Sequence, residues 1–144
     1  MKVKGLDGRQ YSITGTQAKA NDTRPRSAGH MAARKLLKAM FPFGPILEEA
    51  FVPGCQYQLY LDFLMPRQSL VVEVQGIQHR QFTPYFHGTM NGFIAQKRRD
   101  RIKKSFCVAN NLVVVELNDD ERDNPDTWER AIREALSRTE AGEG

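Results

Sequence analysis

Cysteine is nearly absent: Cys55 and Cys107 are the two in 144 residues, far apart and each alone. That excludes a disulfide framework and the paired-cysteine zinc patterns, and reduced thiols are expected. Long apolar runs are missing too. No stretch approaches membrane-spanning length, and the first residues lack the apolar core of a signal peptide. A cytoplasmic protein with no membrane partner is therefore expected. No segment repeats, which argues against solenoids and propellers. Histidine occurs three times, at His30, His79 and His87, so each one needs its own account.

What is present is ordinary in amount and uneven in placement. Hydrophobic residues make up 40% and charged residues 26%, enough for one domain with its own core. The net charge is +4. Residues 1–45 carry nine Lys/Arg against two Asp, and residues 80–105 carry seven against one. Residues 46–79 and 116–144 are acidic, at −3 and −6. Two basic blocks around an acidic centre suit a polyanionic partner, or equally two solvated helix faces.

The patterning predicts an α/β fold, a mixed central sheet flanked by helices and preceded by an N-terminal hairpin and arm. Residues 1–26 read as a hairpin around Asp7-Gly8 followed by a polar, basic arm. Residues 27–138 form the main domain and 139–144 a tail. Ser27 is a good N-cap for a helix to about Met40, whose His30, Ala33, Leu37 and Phe41 share a face. Alternation over residues 56–64 predicts a strand, Pro66 to Ser69 a turn, and "LVVEVQ" a second strand. A helix is expected over 93–110, with Ala95, Ile102, Phe106 and Ala109 as its apolar stripe. "LVVVEL" reads as a strand buried on both faces. A last helix begins near Asn124 with Pro125 at N1 and docks through Trp128, Ile132, Ala135 and Leu136.

The segment "LVVEVQGIQHR", residues 70–80, breaks its own apolar pattern. Alternation puts Glu73 and Gln75 on one face and Val72 and Val74 on the other. Asp62 lies on the preceding strand of the hairpin, so Asp62 and Glu73 can converge. Two carboxylates held close repel unless a cation sits between them, and oxygen ligands of this kind suit Mg²⁺ or Mn²⁺. The bland reading is an edge strand with its polar face in water.

The arrangement of Asp62, a ten-residue gap, then "EVQ" resembles the core of the PD-(D/E)xK nucleases. "LYLDFLMPRQSLVVEVQGIQHRQF" followed by "RRDRIKKSFCVANNLVVVEL" is similar to the branch that contains very-short-patch-repair endonucleases and related phage and homing endonucleases. The resemblance covers about residues 27–117 and implies a restriction-endonuclease-like core. It also implies that Asp62 and Glu73 are metal ligands and that Gln75 stands where a lysine is usual. Gln75 can position a water but cannot take its proton. His79 falls where the branch has a histidine beside the scissile phosphate, as base or as imidazolium. Asp100 matches an acid on the following helix, although pairing with Lys104 is the alternative. His30 stands where several members have glutamate; a buried structural histidine is the other reading.

The expected activity is metal-dependent endonucleolytic cleavage of DNA, in a phage or bacterial setting. A structure-specific nickase or Holliday-junction resolvase uses the same chemistry. A non-catalytic DNA-binding module on a degenerate core is the rival of another class. Lys97, Arg98, Arg101 and Lys104 on the helix, and Lys19, Arg24 and Arg26 in the arm, are the candidate phosphate contacts. Tyr85, Phe86 and His87 are candidates to stack on bases or to pack their own loop. A homodimer is compatible with the pattern but not required by it.

Overall fold

The structure is a computed structural model that describes residues 1–17, 26–76 and 90–140. Strands β1 (Lys2–Lys4) and β2 (Gln10–Ser12) form an antiparallel hairpin. Then come the short β3 (Thr16–Gln17), helix α1 (Ala28–Met40), and strands β4 (Leu47–Phe51), β5 (Tyr60–Met65) and β6 (Leu70–Gln75). Helix α2 (Met90–Ala109), strand β7 (Val113–Asn118), a 3-10 turn (Asp119–Glu121) and helix α3 (Pro125–Glu140) complete the described chain. The main sheet has the order β3-β4-β5-β6-β7. Its pairs are antiparallel except β6–β7, which is parallel. A parallel pair needs a crossover, and α2 lies within it.

The sheet carries a core on each face. Under α1 and α3, Ala33, Leu37, Trp128 and Ile132 pack on Phe63, Met65, Val72 and Leu117. Under α2, Phe106 and Cys107 pack on Leu61, Leu64 and Val71, joined by Val3 and Ile13 of the hairpin region. Val72 and Val74 face the first core, so the alternation read from the sequence holds. Ser27 caps α1 as expected, its side chain accepting from the His30 N–H at 3.1 Å. The first turn of α1 sits hard against β6: a Cβ on Gly29 would lie 3.0 Å from Val74 and closer still to Asp119. Only glycine permits that approach.

Five expectations change. Strand β4 has no counterpart in the sequence pattern, because "LEEAF" carries two glutamates, of which Glu48 is buried against Arg34. The Asp7-Gly8 connection is a five-residue loop, not a two-residue turn, since Lys4 pairs with Gln10. Asp7 organises it by accepting from the Arg9 N–H and the Tyr11 hydroxyl. The N-terminal hairpin is not a detached unit: Val3 is buried, and the Lys4 main chain exchanges two hydrogen bonds with the Asn110 side chain. β7 is the outer strand of the sheet among the described residues, with Val113 and Val114 only half-buried. On α2 the stripe runs through Ile102, Phe106 and Cys107, while Ala109 is exposed. No helix among the described residues is long and apolar enough to cross a membrane.

Candidate functional site

The β5–β6 ladder runs from Met65 opposite Leu70 to Phe63 opposite Val72, and there it stops. The next residues in register are Asp62 and Glu73. Their side chains take over from the main chain. The Asp62 N–H donates to Glu73 Oε2 at 2.7 Å, and the Val74 N–H donates to Asp62 Oδ2 at 2.9 Å. Each carboxylate thus reaches the opposite strand's backbone, which fixes the two acids face to face.

The other edge of β5 is irregular at the same level. β4 pairs through Glu48–Phe63 and Ala50–Leu61 but not through Glu49 and Asp62. Glu49 has φ of 51°, a left-handed conformation that is costly for a residue with a side chain. Phe63 lies in the core under α1 while Leu61, two residues away, lies in the core under α2. Strict alternation would put both on one face. The alternation therefore breaks at Asp62, and the ladder to β6 ends there.

Helix α2 closes the site from above. A small cleft between α2 and the sheet is lined by Glu73, Gln75, Asp100, Lys103, Lys104 and Glu116, with apolar walls from Leu61, Val71 and Val114 of the sheet and Cys107 of α2. Lys103 Nζ donates to Glu73 Oε1 at 3.0 Å. Sequence reasoning missed Lys103. A signal existed: Asp100, Lys103 and Cys107 follow one another at i, i+3 and i+7, so the face that brings Asp100 to the cleft also brings Lys103. Cys107 is buried beside Phe106 and turns the face it shares with Asp100 toward β6.

The electrostatics are unbalanced. Burial pushes the Glu73 carboxyl up, and the neighbouring Asp62 charge pushes it further; Lys103 and the Asp62 N–H oppose them, leaving it at about 7. Burial works against the Lys103 charge, but Glu73, then Asp62 and Asp100, raise its pKa overall. Burial, with a further push from Glu73, lifts the Cys107 thiol to about 12, so it is neutral and unreactive at physiological pH.

His30 does not join this site. Its Nε2 bonds Glu48 Oε1 at 2.5 Å and its ring stacks on Phe63 at 4.5 Å. Arg34 reaches the same carboxylate in two-pronged fashion, with both bonds at 2.8 Å. The structure thus places His30 on a buried carboxylate beneath α1. Arg26, expected in a mobile arm, has a nearly buried side chain paired with Glu49. Lys104 is exposed and pairs with Glu116 at 3.0 Å, not with Asp100. Arg98 and Arg101 are exposed on α2, and the Lys97 ammonium lies over the Phe93 ring at 5.6 Å. Lys19, Arg24, His79, Tyr85, Phe86 and His87 lie outside the described residues.

Asp62 and Glu73 are the residues that could hold a cation. No group of three or more His, Cys, Asp and Glu side chains among the described residues is placed to do so. Two carboxylates are enough for Mg²⁺, which keeps several waters and takes further oxygens from a bound phosphate. A carboxylate pair short of positive charge fits that role.

The chain is similar to two viral proteins. It is 32% identical over 108 residues to uncharacterized protein 033L of Invertebrate iridescent virus 3, covering 72% of this chain and 53% of that one. It is 36% identical over 61 residues to uncharacterized protein 307L of Invertebrate iridescent virus 6, covering 42% of this chain and 31% of that one. The matches thus span about half and about a third of those relatives. No family model matches the chain, and no solved structure does.

Proposed function

We propose that this chain is a divalent-metal-dependent endonuclease core that hydrolyses phosphodiester bonds in DNA, on a restriction-endonuclease-like fold. One observation carries the reading: Asp62 and Glu73 face each other where the β5–β6 ladder ends, each tied to the other strand's main chain. Such reciprocal bonding fixes two like charges together, an arrangement that asks for a cation. Asp62 and Glu73 would hold Mg²⁺ or Mn²⁺, which when bound polarises a phosphate oxygen and makes a bound water more acidic. Gln75, on the same face, orients a water through its amide. The resemblance puts an ammonium two residues after Glu73; here Gln75 fills that position and Lys103 brings an ammonium to Glu73 from α2. Asp100 holds Lys103 electrostatically in the cleft. The exposed Arg98, Arg101 and Lys104 suit a phosphate backbone running along α2. The sources of the two relatives favour a viral setting over a bacterial one.

A second reading has its own support. Lys103 already partly neutralises Glu73, and no third acid among the described residues joins the pair, which suits a nucleic-acid-binding module that does not cut. One experiment separates the two: incubate the protein with linear, nicked, supercoiled and branched DNA in Mg²⁺, Mn²⁺ or EDTA. Cleavage in metal and none in EDTA supports the endonuclease, and the substrate preferred separates a general cutter from a nickase or a junction resolvase. Binding without cleavage in either metal supports the module.

A further inference from the structure

Resting on the cation site just proposed, Lys103 gains a role that no sequence pattern assigns to it. Both oxygens of Glu73 are engaged: Oε2 accepts from the Asp62 N–H and Oε1 from Lys103 Nζ. Each oxygen keeps a second lone pair for a cation, which would then lie beside one of these partners. The Asp62 N–H belongs to a strand held on its other side by β4, and it cannot withdraw without moving β5. Lys103 sits at the end of a flexible four-carbon stem. It is also the partner that a divalent ion would repel, since like charges a few ångströms apart interact strongly in a half-buried cleft.

We infer that Lys103 is the resident counter-ion of this site: without metal its ammonium occupies the position beside Glu73 that a divalent ion takes, and loading the site expels it. Three acids keep it nearby. Glu73, Asp62 and Asp100 all attract it, and Asp100 lies one turn back on the same helix and in the same cleft. The displaced ammonium stays in the cleft as a cation for an incoming phosphate. Lys103 thus does two opposed things: it weakens metal binding and assists the chemistry that follows. It is a positioning residue whose loss should move the two properties in opposite directions.

The test is a Mg²⁺ titration by calorimetry on wild type, Lys103→Met and Lys103→Arg. It is run at pH 9, where protons compete least with the metal for carboxylates. Lys103→Met keeps most of the length of the side chain and removes its charge. It should bind Mg²⁺ about ten- to a hundredfold more tightly than wild type, from the removal of one nearby positive charge. Its DNA cleavage should be at least about tenfold slower. Lys103→Arg keeps the charge and should bind Mg²⁺ within about threefold of wild type, as the same electrostatics require. Equal or weaker Mg²⁺ binding by Lys103→Met overturns the inference while leaving the cation site in place. Absence of binding by all three proteins removes the site and the inference together. A second measurement needs no variant. The side-chain ¹⁵N signal of Lys103 in the wild-type protein should shift and saturate with Mg²⁺, and a signal that stays fixed while the metal binds also overturns the inference.

Discussion

Two glutamates lie beneath helices on strands of one sheet, and their surroundings differ in sign. Glu48, 1% exposed, is met by two hydrogen bonds from Arg34 and one from His30. Burial pushes its carboxyl up, but Arg34 and His30 outweigh that and leave it below the ordinary range. Glu73 has one cation, Lys103, and a second carboxylate, Asp62, against it. It ends at about 7. A carboxylate matched by a buried guanidinium and further hydrogen bonding is part of the frame. One left short of counter-charge is where an added cation gains most.

The largest effects should come from removing the under-neutralised pair. Asp62→Ala and Glu73→Ala should each lower Mg²⁺-dependent cleavage at least about 100-fold, since even residues that only support metal ligands cost ten- to a hundredfold. Glu48→Gln should leave cleavage within about threefold at temperatures where it is folded. Equal losses in all three, measured as single-turnover rates, would erase the distinction.

Stability should sort the same residues the other way. Glu48→Ala leaves Arg34 buried without its carboxylate and should cost about 3–5 kcal/mol, the usual penalty for halving a buried ion pair. In a chain of this size that lowers Tm by about 10–17 °C. Glu73→Ala removes a repulsion as well as an ion pair and should change Tm little. Thermal melts at pH 7 check both.

The pH dependence should also run in opposite directions. Folding raises the Glu73 pKa from 4.5 to about 7, so the folded state keeps a proton that the unfolded chain has lost. Stability from this group is therefore full below about 4.5 and lost as pH rises to about 7, by up to about 3 kcal/mol. Glu48 is lowered, so its contribution is present above the ordinary carboxylate range and lost as pH falls through it. Melts between pH 4.5 and 8 should show a downward slope that Glu73→Gln flattens and that saturating Mg²⁺ reverses at pH 8. An unchanged slope in Glu73→Gln would contradict the charge shortage at this site.

The smallest effect concerns the surface. Lys97→Ala/Arg101→Ala/Lys104→Ala should weaken DNA binding across sequences. It should also flatten the plot of log K against log salt by about 0.9 for each phosphate that the protein no longer neutralises. Lys104 is exposed and paired with Glu116, so stability should fall by less than about 1 kcal/mol. An unaltered salt slope would make this face an ordinary solvated one.

Much of this contrast is legible in the residues alone, and the remainder depends on neighbours distant in sequence. The acid pair is legible because Asp62 and Glu73 sit on strands joined by a short turn, and β-alternation fixes what faces what. The Ser27 cap and the Trp128 face of α3 are legible for the same local reason. Glu48 is not, because a buried glutamate looks like a surface one until Arg34 and His30 come across from α1. Lys103 is hidden because the stripe through Ile102 and Phe106 does not by itself show that the neighbouring face, which carries Lys103 and Cys107, also turns to the sheet. The outer position of β7 is hidden because three valines in a row look the same at an edge as at the centre.

Whether Asp62 and Glu73 share a divalent cation is tested most directly by anomalous diffraction from crystals soaked in Mn²⁺. A shared cation predicts a peak between the two carboxylates, about 2.1 Å from an oxygen of each, with the Lys103 ammonium moved off Glu73. A map with no peak there, and Lys103 still on Glu73, would contradict it.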